Sequence, residues 1–266
     1  VSVTVTRERL LHDGLERQYV LVEPEGPVER TLLFFHGSLQ SGNVIRRFTA
    51  GTFDGLPGTR VIYPSGVHNH FNDGRARLPE KTREMGVDDV DFTRELVGRY
   101  GGPVFACGYS NGGHMVMRLL IDAPGLLHGA CMFAATMPTR DNLATTNPLD
   151  VYEPTPVMFL HGTGDRIAPI SGGEAALSAA KSRGSVLSAR ESAEWFAQAN
   201  GCATGAVSRP YADVERVRWE GAQPVELWSV DGMGHVIPSG NEVSPRLGAN
   251  TASFVAADAV RGFFGF

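Results

Sequence analysis

Residues 108–112 read Gly108-Tyr109-Ser110-Asn111-Gly112, a serine with a glycine two positions to either side. Strings of that kind are common in turns, so the flanks decide what this one means. The preceding PVFAC reads as a strand and the residues that follow as a helix, the setting of a nucleophile elbow. A strand-to-helix turn that sharp strains the serine backbone and admits only small residues around it. It also lifts the hydroxyl to the helix N-terminus, where unpaired N–H groups and the positive dipole end favour a developing oxyanion.

A serine hydroxyl needs a base to take its proton, and the base needs an acid to orient it. On such an elbow the chain order is Ser, acid, His. His235, in DGMGH after the strand-like VELWSV, is the only histidine beyond His161. His161 ends the apolar run PVMFL and precedes the acid candidate, so it reads as a strand-end histidine making local contacts. For the acid, Asp165 in HGTGD lies just past the carboxyl end of a parallel strand, where α/β sheets place their sites. Among its competitors, Asp141 and Asp150 lie in a polar loop, Asp213 precedes a strand, and Asp231 reads as a turn residue. The expected triad is Ser110, Asp165 and His235. Its oxyanion donors would be the amides of Asn111 and of Ser38, in the His36-Gly37-Ser38 loop after TLLFF.

These residues need a scaffold that brings distant segments to one edge. Continuous apolar runs at 31–35, 60–64, 103–109, 129–135 and 156–162 suggest parallel strands covered on both faces. Helical patterns alternate with them at 87–100, 111–120, 173–181, 188–200 and 249–264. Strands at 1–6 and 17–22, joined through a turn at 12–14, give an antiparallel start. The expected fold is a doubly wound, mostly parallel α/β sheet with helices on both faces, read as one domain over residues 1–266.

The 266 residues are 42% hydrophobic and 20% charged, with 24 Lys+Arg against 29 Asp+Glu. The balance is that of a globular chain, and the absence of a basic run excludes nucleic acid as the expected partner. No apolar stretch is long enough to span a bilayer, and VSVTVTRERL does not read as a signal peptide. The three cysteines show no metal-ligand spacing, and Cys107 and Cys131 read as small core residues.

With these residues in place, the chain resembles the poly(3-hydroxybutyrate) depolymerase and feruloyl esterase group of α/β-hydrolases. GLERQYVLVEP, HGSLQSG, VDDVDFTREL, GYSNGGHM, FLHGTGDRIAPISGG, EWFAQANGC and GMGHVIP carry the resemblance along nearly the whole chain. It implies an α/β-hydrolase fold with Ser110 as nucleophile, Asp165 as acid, His235 as base, and oxyanion donors at Ser38 and Asn111. It also implies a serine ester hydrolase that works through an acyl-enzyme, on short hydroxyalkanoate or hydroxycinnamoyl esters, small or oligomeric, with no metal or organic cofactor. The same machinery serves a serine peptidase or acyltransferase, and the fold also serves catalytically silent binding proteins.

Two departures from that group stand out. Secreted relatives pair the cysteine of NGC with a second one, whereas RVRWEGAQPVELW leaves Cys202 without it. The resemblance therefore points to secretion and the cysteine usage to the cytoplasm. Relatives also carry a tryptophan two residues after the histidine, where this chain has Ile237. Leu39, Tyr109, Ile167 and Ile237, with Pro169, are expected near the substrate pocket. His68 and His70 read as a loop at the cleft rim, His114 as a packed helix residue, and Asp88, Asp89 and Asp91 as helix-start charges. Trp195 and Phe196 read as core.

Overall fold

The computed structural model describes residues 2–176 and 182–266. The chain begins with β1 (Val3–His12), β2 (Leu15–Pro24) and β3 (Arg30–Phe35), then α1 (Gly42–Phe48) and β4 (Thr59–Pro64). A short α2 (Lys81–Glu84) leads to α3 (Asp89–Tyr100), β5 (Val104–Tyr109), α4 (Asn111–Asp122), β6 (Gly129–Phe133) and β7 (Val157–Gly162). The rest comprises β8 (Gly173–Ala176), β9 (Ser182–Val186), α5 (Ala189–Ala199), β10 (Ala206–Tyr211), β11 (Val214–Trp219), β12 (Val225–Val230) and α6 (Ala256–Phe264).

Ten strands form one sheet in the order β1-β2-β4-β3-β5-β6-β7-β12-β11-β10. The six central strands, β4 through β12 in that order, are parallel, and an antiparallel hairpin closes each edge. The edge formed by β1 and β2 matches the expected antiparallel start. At the other edge the sequence reading has no counterpart for β10, most of whose side chains are exposed. An exposed edge strand lacks the apolar run that announces a central one.

Alternation within the central strands divides the core in two. Leu33 and Phe35 of β3 pack with Leu96, Met115, Leu119 and Phe196 on one face. Leu32 and Phe34 pack with Ile45, Leu160, Trp228 and Val260 on the other. Successive side chains of a strand point to opposite faces, so a strand covered on both sides must be apolar throughout. Cys107 and Cys131 are buried, unpaired and opposite one another in register. Phe196 is core, as expected, and Trp195 packs against it.

Helix starts follow local capping. The Ser188 side chain accepts from the Glu191 N–H, while Glu191 accepts from the Ser188 N–H, a reciprocal box that starts α5. Asp88 caps α3 by accepting from the Asp91 N–H at 2.9 Å. Asp89 goes beyond first-turn charge. It is fully buried, takes a hydrogen bond from the buried Arg17 guanidinium, and accepts the Asn72 N–H at 2.7 Å.

Two expected helices are corrected. Residues 173–176 of the run 173–181 form β8, paired antiparallel with β9, and 177–181 lie outside the described residues. Gly172 and Gly173 adopt φ of 73° and 101°, which turns the chain into an extended path, and pairing with β9 overrides the helical preference of an alanine-rich stretch. The last helix begins at Ala256 rather than near 249. Residues 249–256 are held from outside instead: Gly234 N–H donates to Ala249 O, Asn250 Nδ2 to Ile237 O, Thr251 Oγ1 to Asp213 Oδ2, and Ala256 N–H to Pro238 O. The chain there braces the 232–238 loop.

Candidate active site

Ser110 joins β5 to α4 with φ 53° and ψ −114°, a strained conformation for a residue with a side chain. The glycines permit it. A Cβ at Gly108 would stand 2.2 Å from Gly112 O, and one at Gly112 2.2 Å from Phe35 O, so neither position accepts any other residue. The serine amide donates to Phe133 O at 2.9 Å, and its carbonyl accepts the His114 N–H at 3.1 Å. Both bonds lock the elbow between neighbouring elements.

His235 follows β12 on a loop held by backbone bonds, its own N–H donating to Leu247 O at 2.6 Å. Asp165 follows β7. Gly162 lies so close to this loop that a Cβ there would stand 2.0 Å from Met233 O. The parallel pairing of β7 with β12 thus sets the Asp165 and His235 loops side by side. His235 Nδ1 lies 2.7 Å from Asp165 Oδ2, and His235 Nε2 lies 3.0 Å from Ser110 Oγ.

Asp165 Oδ1 accepts the N–H groups of Ile167 and Ala168 at 2.9 and 2.8 Å. Burial alone would raise its pKa, but hydrogen bonds and charge from His161 and His235 hold it well below the usual carboxylate range. An ionised Asp165 accepts a hydrogen bond from the Nδ1–H of His235, which leaves the Nε2 lone pair facing Ser110 Oγ. His161 has a local role, donating from Nε2 to Ala168 O at 2.6 Å beside the acid.

Among the described residues, neither the Ser38 N–H nor the Asn111 N–H has a hydrogen-bond acceptor. Each is held by what surrounds it. Asn111 Oδ1 accepts the Phe71 N–H at 2.8 Å, and its Nδ2 donates to Phe71 O and Asp73 Oδ2. Burial would raise the Asp73 carboxyl, but the paired Arg75 keeps it well below its ordinary value. On the other side, the fully buried His36 donates from Nδ1 to Gly37 O at 2.7 Å and accepts the Gly66 N–H on Nε2 at 2.9 Å. The Gly37–Ser38 peptide is trans, so a carbonyl held by His36 sends the Ser38 N–H to the opposite side.

The four expected pocket residues occupy different surroundings. Tyr109 is 3% exposed, and its hydroxyl donates to His235 O at 2.7 Å. Leu39, with φ 63°, is 73% exposed beside the Ser38 loop. Ile167 is half-buried and gives its N–H to Asp165. Ile237 is fully buried within the core cluster that contains Tyr109. His68 is exposed and His70 buried, while His114 is buried behind the elbow. Sequence reading missed two supports, the buried His36 ring that holds Gly37 O and the Asn111 side chain that binds Phe71 and Asp73, because both depend on contacts no local pattern announces. Among the described residues, no group of three or more His, Cys, Asp or Glu could hold a metal ion, and no helix is long and apolar enough to cross a membrane.

An acetyl xylan esterase from Aspergillus awamori superposes with a TM-score of 0.63, covering 98% of this chain and 99% of that one at 14% identity. TT1662 from Thermus thermophilus superposes at 0.53, with 98% and 97% covered and 18% identity. This chain has the α/β-hydrolase fold. Its mostly parallel sheet with helices and an antiparallel N-terminal start follows that architecture. In sequence, it is 28% identical over 186 residues to a protein of Nocardia uniformis subsp. tsuyamanensis named "Putative esterase NocK". That match covers 64% of this chain and spans about half, 52%, of NocK. No family model matches the chain.

Proposed function

We propose that this α/β-hydrolase is a serine carboxylic-ester hydrolase. The observation that carries the proposal is the continuous chain Asp165 Oδ2, His235 Nδ1 and Nε2, and Ser110 Oγ, at 2.7 and 3.0 Å. His235 takes the Ser110 proton as the oxygen attacks the ester carbonyl, and Asp165 stabilises the imidazolium that results. The amides of Ser38 and Asn111 receive the oxyanion, each worth about a hundredfold or more in rate. Collapse expels the alcohol with the proton from His235. Water, activated by the same histidine, then releases the acid and regenerates the serine.

Similarity to a protein named as an esterase supports the reaction class. For substrate, the motif resemblance favours short hydroxyalkanoate esters or their oligomers, or hydroxycinnamoyl esters. Fluorophosphonate should label Ser110 in the native protein and fail to label Ser110→Ala. A panel of esters varying acyl length and aromaticity, hydroxybutyryl to feruloyl, then identifies the acyl class. Full turnover by Ser110→Ala would overturn the proposal.

A further inference from the structure

β9 carries a side chain that leaves its own two-stranded sheet and reaches the loop after β3. Arg183 is 3% exposed. Its Nη1 donates to Ser38 Oγ and its Nη2 to Glu80 Oε1, both at 2.6 Å. The backbone beneath is anchored separately. Arg183 O accepts from Asn142 Nδ2 at 2.9 Å, and a Cβ at Gly184 would stand 2.4 Å from the Asn142 side chain. The β8–β9 pairing uses no guanidinium atom and lies outside the ten-stranded sheet.

Burying a guanidinium is costly unless its charge is paired and its donors are used. Glu80 supplies the charge and the second arm goes to a neutral hydroxyl, while Nε is left without a partner among the described residues. That hydroxyl belongs to Ser38, the residue whose amide stands without an acceptor next to an exposed Leu39. His36 holds the Gly37 carbonyl of the Gly37–Ser38 peptide, and Arg183 holds the Ser38 side chain that follows it. Charge-assisted bonds of this length are among the stronger hydrogen bonds in proteins, and the planar guanidinium fixes the angle between its arm on Ser38 and its arm on Glu80.

We infer that Arg183 is a positioning residue for the oxyanion hole, gripping Ser38 Oγ from β9 so that the Ser38 amide keeps its aim at the oxyanion. This rests on the proposed esterase reaction and on the Ser38 amide as a donor. The residue acts through Ser38 and does not itself touch the reacting atoms.

A double-mutant cycle tests it on a p-nitrophenyl ester turned over by the wild type. Arg183→Gln and Ser38→Ala should each lower kcat by about ten- to a hundredfold with KM nearly unchanged. The double variant should fall no further than the worse single one, because both break one linkage. Added guanidinium should restore part of kcat to Arg183→Ala but none to Arg183→Ala combined with Ser38→Ala. Unchanged kcat, multiplying effects, or a rise confined to KM would overturn the inference. If Arg183→Gln does not fold, Ser38→Ala decides alone, since it keeps the amide, and full activity there refutes the latch. Ser110→Ala runs in parallel: turnover surviving in it refutes the esterase proposal, whereas its silence beside fully active Arg183 and Ser38 variants refutes only the latch.

Discussion

The hydroxyl of Tyr109 donates to the backbone carbonyl of His235 at 2.7 Å, and the two rings lie 5.1 Å apart, tilted by 45°. The residue immediately before Ser110 thus holds His235, the residue proposed as its base, across 126 positions of chain. Gly37 makes room for that tyrosine, since a Cβ there would stand 2.7 Å from its ring. One side chain of the elbow therefore meets both the His235 loop and the Gly37 loop.

Tyr109→Phe leaves the buried His235 carbonyl unpaired, which should cost about 1–3 kcal/mol of stability. The base loop also loses a tether, and kcat should fall by about tenfold or more with little change in KM. Urea unfolding and steady-state kinetics on the same preparation check both parts. A variant with full kcat would show that the backbone bonds of the loop suffice.

Asp165→Asn preserves shape but removes the charge and the preference for an Nδ1–H imidazole. Turnover should fall by about ten-thousandfold with the fold intact. Because its folded pKa lies below the ordinary carboxylate value, wild-type Asp165 contributes stability above about pH 4 that is lost as the pH falls further. Kinetics and circular dichroism of the variant test the first point. Kinetics within tenfold of wild type would remove Asp165 from the triad.

His36 must stay neutral to donate to Gly37 O while accepting from Gly66 N–H. Burial lowers its pKa from 6.5 to about 4, against a smaller opposing effect of the Gly37 carbonyl. Between those two values the unfolded chain holds a proton that the folded one does not. Stability conferred by the neutral ring is complete above pH 6.5 and declines as the pH falls toward 4, by about 3 kcal/mol in total. The stability gap between wild type and His36→Asn, followed by urea unfolding, should narrow over that window. A gap independent of pH would contradict the neutral-ring assignment.

Cys202 is unpaired, with its thiol donating to Gln223 O at 3.2 Å. A Cβ built at Gly221 would stand 3.0 Å from Cys202 Sγ and 3.6 Å from Cys202 Cβ, within reach of a disulfide. Gly221→Cys should pair with Cys202 under oxidising conditions and add about 3 kcal/mol. Thiol titration of the denatured, unreduced variant should find only Cys107 and Cys131. Four free thiols would show that the two segments do not approach as described.

The elbow, the central parallel strands and the order Ser110, Asp165, His235 were legible along the chain because each leaves a local mark. Steric exclusion demands glycine at 108 and 112, two-sided burial demands unbroken apolar runs, and loops at strand ends collect Gly, Asp and His. The strand nature of Gly173–Ala176 and the late start of α6 were not legible. There, hydrogen bonds from distant segments outweighed local helix preference. The same holds for the supports of the site. Tyr109, His36 and Arg183 act through partners set by folding, and Ser38 and Arg183 stand 145 residues apart in sequence. Residue type and spacing determined which groups could react. Only packing decided which neighbours hold them in place, because a hydrogen bond between remote segments leaves no periodicity in either one.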